Sequence, residues 1–328
     1  MPISPDPKIA ALAMSVRDRL LNVARQPQCR ASYNALLRRY LQERLLWRLS
    51  QSRHRERFVL KGALRLACAG FPWARVTNDI DLLGYGNPDP DHLAGVFREV
   101  CAPQATGVEH ALADAVRFDP DNITARPILE GAEYGGVRVS LVALFGTARE
   151  PLQVDVAFGD AVTPPPAPSE LPTLLPGMPP PRLRVYSDET TVAEKLHIMV
   201  RLGAANSRVK DLYDLYRFAT TVAFDGALLA EALRRTFEAR ATLFEAAHPV
   251  FHPQFARELN RQAAWRALRR SLGSAAEEVP EELAAVVTTI QRLAAPLYQA
   301  CYEGRLFAAR WSPAQGIWEP GQGTGDAE

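Results

Sequence analysis

The sequence predicts an α+β protein, with a mixed sheet and flanking helices first and an all-helical C-terminal half after it. Three observations carry this. Short apolar or alternating runs, Phe58–Leu60, Val137–Phe145 and Leu152–Phe158, fall in the first half and have the period of strands. A proline-dense stretch from Thr163 to Pro181 forbids helix and suits an extended crossover. Beyond it, apolar residues return at helical spacing as far as residue 303.

The elements follow in order. Residues 8–25 and 33–51 read as amphipathic helices, the second with Leu36, Leu37, Tyr40, Leu41, Leu45, Trp47 and Leu49 at helical spacing and arginines between them. Phe58–Leu60 is a strand that Gly62 turns into a short helix, Ala63 to Ala69. Arg75–Leu83 is the next strand, and residues 91–100 form a helix capped by Asp89 or Asp91. Val137–Phe145 and Leu152–Phe158 make an antiparallel pair joined through Gly146 to Pro151. Helices are then expected near 189–202, 207–220, 225–238, 253–272 and 280–303. The domain reading is N-terminal helices over 1–57 packing on a core at 58–163, a Pro-rich crossover at 164–184, a helical domain at 185–312 and a frayed tail at 313–328.

Composition narrows the function classes. Apolar residues are 47% of 328, enough for a sizeable core, and the net charge is +1, so any basic surface must be local. Cys29, Cys68, Cys101 and Cys301 form no CxxC, which fits reduced thiols better than disulfides or a zinc site. There is no apolar run of about 18 residues, and the N-terminal residues lack a signal-peptide pattern. A soluble cytoplasmic protein without membrane contact is expected.

The chemistry is concentrated at Asp79-Ile80-Asp81. Residues i and i+2 of a strand point the same way, so Thr77, Asp79 and Asp81 share one face while Ile80 and Leu82 anchor the other. Two such carboxylates, about 7 Å apart at Cα, repel each other unless a cation lies between them. Magnesium takes oxygen ligands and leaves positions for water and phosphate. Asp155 is a lone acid in the apolar strand 152–158 and is expected to be a third metal ligand, or the base for an attacking hydroxyl. A lone DxD is more often a strand-end turn. Preceded by a glycine turn and followed by a strand aspartate, it reads as a metal–nucleotide site.

Lys61-Gly62-Ala63 stands between strand and helix, where backbone amides meet phosphate oxygens and glycine permits close approach. Arg65 either reaches the same cleft or is solvated. Helix 189–202 opens with Ser187-Asp188-Glu189 and places Lys195 at the edge of its apolar stripe, with the ammonium free to enter a cleft. Helix 207–220 places Asp211 at its stripe edge, while Asp214 and Lys210 point away and pair at the surface. Arg208, near the helix start, is a candidate for phosphate or RNA. Two arginine clusters, one over 38–57 and one from Arg257 to Arg270 around Trp265, read either as RNA tracks or as solvated helix faces.

These segments resemble the AbiEii/AbiGii family of nucleotidyltransferase toxins, which includes the MenT toxins. The matching stretches are FVLKGALRL (58–66), VTNDIDLLGYG (76–86), EYGGVRVSLVALFGTAR (133–149), PLQVDVAFGDAVTP (151–164), YSDETTVAEKLHIMVRLG (186–203) and NSRVKDLYDLYRFA (206–219). The resemblance implies a polymerase-β-like nucleotidyltransferase core with a helical C-terminal half. It also implies Mg²⁺ or Mn²⁺ as metal, an NTP such as CTP as donor, the tRNA 3′ end or another RNA as acceptor, and a cognate antitoxin, often winged-helix, as partner in toxin–antitoxin or phage defence. On this match Gly62 and Ala63 are the nucleotide-binding turn, Asp79 and Asp81 the metal ligands, Asp155 the third acidic position, and Lys195 and Asp211 the later polar roles. The wider pattern has Gly-Ser or Gly-Gly at the turn. Here Ala63 lacks the hydroxyl, and Thr77 is expected to compensate. The rival readings are the same fold acting on a small-molecule or protein hydroxyl, and a non-catalytic binding module.

Overall fold

A computed structural model describes residues 7–26, 29, 31–70, 77–102, 114–128 and 135–321. The chain divides into two units, one of Met1–Gly159 with Ala167–Tyr186, the other of Asp160–Pro166 with Ser187–Glu328. Arg75 and Val76, which begin the strand expected at 75–83, lie outside the described residues, as do residues 322–328 of the expected tail.

The first unit is built on a mixed eight-stranded sheet. Its strands are β1 (Phe58–Lys61), β2 (Asp79–Gly84), β3 (Val116–Phe118), β4 (Thr124–Ile128), β5 (Gly136–Phe145), β6 (Ala148–Phe158), β7 (Ala167–Glu170) and β8 (Arg182–Val185). They lie in the order β3-β5-β6-β2-β1-β8-β7, with β4 also pairing β5. β2 runs parallel to β6 and antiparallel to β1, and β1 runs parallel to β8. Helices α1 (Pro7–Ala24), α2 (Tyr33–Gln51) and α4 (Pro90–Cys101) share one hydrophobic core with Phe58, Leu60, Ile80, Leu82, Val154 and Val156. A short α3 (Gly62–Arg65) follows β1 directly. Asp89 caps α4, accepting from His92 N at 2.8 Å ahead of Pro90.

The hairpin between β5 and β6 is tighter than expected. Phe145 pairs with Ala148, so Gly146 and Thr147 alone make the turn, with Gly146 at φ +57. β6 therefore starts at Ala148 rather than Leu152. Pro151 is tolerated because β2 pairs β6 only from Gln153 onward, which leaves the earlier residues a free edge on that side. The Pro-rich stretch is not a bare crossover either. It contributes β7 and β8 to the sheet, with Pro168 on the outermost strand.

The second unit holds α5 (Asp188–Leu202), α6 (Val209–Thr221), α7 (Gly226–Ala239), α8 (Leu259–Leu272) and α9 (Leu283–Tyr302). Ser187 caps α5, accepting from Thr190 N at 3.1 Å. The expected helix from 253 begins only at Leu259, because Pro253–Arg257 is a 3-10 turn and the Glu258 side chain caps α8. The expectation of an all-helical half is corrected. β9 (Phe224–Asp225), β10 (Ala309–Ser312) and β11 (Ile317–Pro320) form a three-stranded sheet, order β11-β10-β9. Its last strand lies in the stretch expected to be frayed. Trp311 is fully buried there and donates from Nε1 to Ala219 O at 2.7 Å.

Candidate active site

Strand parity divides the sheet of the first unit into two faces. Ile80 and Leu82 are buried in the helix-covered core, while Asp79 and Asp81 are half-buried on the other face. The parallel register sets Asp81 beside Asp155, and the antiparallel register sets Asp81 beside Lys61. Lys61, Asp81 and Asp155 therefore lie side by side on three adjacent strands, about 4.8 Å apart from strand to strand. Arg138 joins them from β5, in register with Asp155.

Gly62 is the hinge of this arrangement. It has φ +66, a conformation that a side chain disfavours, and a Cβ added there would lie 2.0 Å from Asp81 Oδ2. The Asp81 carboxylate thus occupies the space that a side chain at the turn would fill. This fits a hard cation such as Mg²⁺, since two carboxylates stand on one face with one of them seated over a bare backbone turn. The donor set is smaller than expected. Among the described residues no group of three His, Cys, Asp or Glu side chains is placed to hold a metal ion. Asp155 is instead bound by Arg138 in a bidentate pair, Nε to Oδ1 at 2.8 Å and Nη2 to Oδ2 at 2.7 Å. Asp155, expected as a third metal ligand or as the base for the attacking hydroxyl, is thus a carboxylate held by a guanidinium. Arg138 was missed in the sequence, although the alternation of 137–145 already sets it on the face away from the core.

The remaining turn residues take unexpected partners. Ala63 is buried. Thr77 lies before β2 rather than on it, and its hydroxyl donates to the Asp79 carbonyl at 3.3 Å. Arg65 is buried rather than solvated, and its Nε donates to the Tyr186 carbonyl at 2.8 Å. Lys61 Nζ lies 5.2 Å from the Tyr186 ring centroid and 3.5 Å from its hydroxyl. Tyr186, also missed, is a buried post for both cations.

In the second unit Lys195 is a buried cation rather than an edge lysine with a free ammonium. Its Nζ donates to Asp211 Oδ1 at 2.7 Å and lies 2.8 Å from Asp214 Oδ2. Asp214, expected at the surface with Lys210, is fully buried. Arg208 Nε donates to Asp211 Oδ2 at 2.6 Å, leaving its guanidinium half-exposed. Burial alone would raise the Asp211 carboxyl, but Lys195 and then Arg208 bring it well below the ordinary carboxylate range.

The two arginine clusters lose members to the interior. Arg48 is buried in a bidentate pair with Asp114, and Arg44 is buried against Glu43. Arg261 and Trp265 are fully buried, with Arg261 Nε donating to Asn206 O at 2.8 Å and Trp265 Nε1 to Glu281 O at 3.0 Å. Neither cluster is a continuous basic face. No helix among the described residues is long and apolar enough to cross a membrane.

Comparison with known proteins adds the family. A crystal structure from H. pylori that carries the name of a nucleotidyltransferase is 14% identical, with 84% of this chain and all of that chain covered at a TM-score of 0.41. JHP933 from Helicobacter pylori is 14% identical, with 83% of this chain and 95% of that chain covered at a TM-score of 0.38. Among curated proteins no sequence matches significantly. The model of the nucleotidyl transferase AbiEii toxin of type IV toxin–antitoxin systems matches residues 44–292. That span holds the acid pair, the glycine turn and the Lys195 network, and the chain belongs to the AbiEii family of nucleotidyltransferase toxins.

Proposed function

We propose that this nucleotidyltransferase moves a nucleoside monophosphate from an NTP to the hydroxyl of an RNA acceptor, with the tRNA 3′ end as the acceptor that the family resemblance implies. The observation that carries the reading is the seating of Asp81 over Gly62 beside Asp79. In this reading the two carboxylates hold the metal, and the bare turn leaves room for a phosphate. Bound there, Mg²⁺ or Mn²⁺ would offset charge on the triphosphate.

The acceptor oxygen forms a bond to the α-phosphorus, the bond from that phosphorus to the bridging oxygen breaks, and pyrophosphate leaves. Asp155, oriented by Arg138, accepts the hydroxyl proton. Lys61, held by Tyr186, adds positive charge beside Asp81. Lys195 and Asp211 keep the later polar roles that the family resemblance implies, with Asp211 the positioning residue of Lys195. Catalysis by this set is placement and charge stabilisation rather than covalent chemistry. A cognate antitoxin is the partner expected from the family.

Incubation with each α-labelled NTP in turn, in the presence of total tRNA or total protein, tests the acceptor. The expected result is metal-dependent label in tRNA from one preferred NTP. Label in protein or in a small-molecule fraction alone would replace RNA as the acceptor.

A further inference from the structure

The first unit carries a second charged feature that the acid site does not use. A groove of about 390 Å³ is lined by Ser50, Gln51, Arg55, Glu56, Pro168, Arg182, Leu183 and Arg184. Three arginines face one glutamate there. Arg55 pairs with Glu56 at 3.1 Å and Arg182 with Glu170 at 3.8 Å, but their side chains are 61% and 72% exposed, so both can exchange these surface pairs for a ligand. Arg184 is half-buried and fixed, with its guanidinium 5.4 Å from the centroid of the Tyr85 ring. Tyr85 is itself 41% exposed.

We propose that this groove binds the phosphate backbone of the RNA acceptor at a distance from the reacting hydroxyl, with Tyr85 offering a ring for a base to stack on. Arginines beside an exposed aromatic suit a single-stranded nucleic acid, since the charges meet phosphates and the ring accepts any base. Position supports the same occupant. Arg184 is in register with Val59, and Val59 with Leu83, two residues beyond Asp81. Strand spacing and rise then set Arg184 about 12 Å and Arg182 about 16 Å from Asp81 at Cα. That is too far to touch the NTP bound at the acids and close enough for a neighbouring part of one acceptor. The inference rests on RNA being the acceptor, but it is read from binding rather than from turnover.

The test is fluorescence anisotropy of the full chain with a labelled RNA hairpin that has a single-stranded 3′ end, over a series of salt concentrations. Arg55→Ala/Arg182→Ala should weaken binding on the order of tenfold and reduce the salt slope by about 1.4, as expected for two lost contacts to single-stranded phosphate. Arg234→Ala/Arg235→Ala, which removes equal charge from α7, should change affinity less than about twofold. Tyr85→Ala should weaken binding without changing the slope. Equal losses in the groove and α7 variants would overturn the proposal, and so would a wild-type chain that does not bind the hairpin. Retained RNA binding with lost binding of a poly-glutamate peptide would overturn it too and give the groove to an acidic protein. RNA binding without label transfer would instead fail the acceptor reading and leave the groove standing.

Discussion

Gly62 and Asp81 are tied together more closely than their chemistry alone requires. A side chain at residue 62 would have to adopt φ +66 and would place its Cβ 2.0 Å from Asp81 Oδ2. The left-handed backbone alone costs about 1–2 kcal/mol for a non-glycine residue, and the clash moves the carboxylate as well. Gly62→Ala is therefore expected to lower the melting temperature modestly and remove nucleotidyl transfer. Full activity in a folded Gly62→Ala protein would show that the seat over the turn is not needed. Parity in the sequence set Asp79 and Asp81 on one face, and the structure keeps them there. It did not show the Arg138–Asp155 pair, because cross-strand register is set by a hairpin whose length the sequence left open. Pro151 suggested a longer turn than the two residues that close it.

At the scale of elements, α5 and α6 are joined by a buried charge network rather than by apolar stripes alone. Lys195 meets both Asp211 and Asp214, and Asp214 has no exposed surface. Removing one partner of a buried pair leaves an uncompensated charge and costs about 3–5 kcal/mol. Lys195→Ala should accordingly lower the melting temperature by several degrees as well as impair transfer. An unchanged melting curve would contradict the network. Helical projection put Asp214 on the far side because it treats every charge as seeking water, and it cannot see that a buried lysine gives two aspartates a reason to turn inward. The same limit hid the arginines of α2. Arg44 and Arg48 read either as part of an RNA track or as a solvated face, but Glu43 and Asp114 hold them in the core.

For the whole molecule, the sequence divided the chain at its prolines, and the observed division is finer. Residues 160–166 belong with the second unit, while 167–186 return to the sheet as β7 and β8. Prolines signal the absence of helix, yet they do not exclude an outer strand, where a missing N–H costs nothing. The strands β9, β10 and β11 escaped notice because each is only two to four residues long, too short for a period to register. With a net charge of +1, the molecule has no general attraction for RNA, so the proposed function rests on local features: the acid pair proposed for the reaction and the arginine groove proposed for the acceptor. The most direct measurement is incorporation of α-labelled NTP into RNA by wild-type and Asp81→Asn proteins with matched melting curves. The account predicts metal-dependent incorporation by the wild type and a loss of at least a hundredfold, on the order expected for removing a group that stabilises charge in the transition state, in Asp81→Asn. Undiminished incorporation by the folded variant would contradict it.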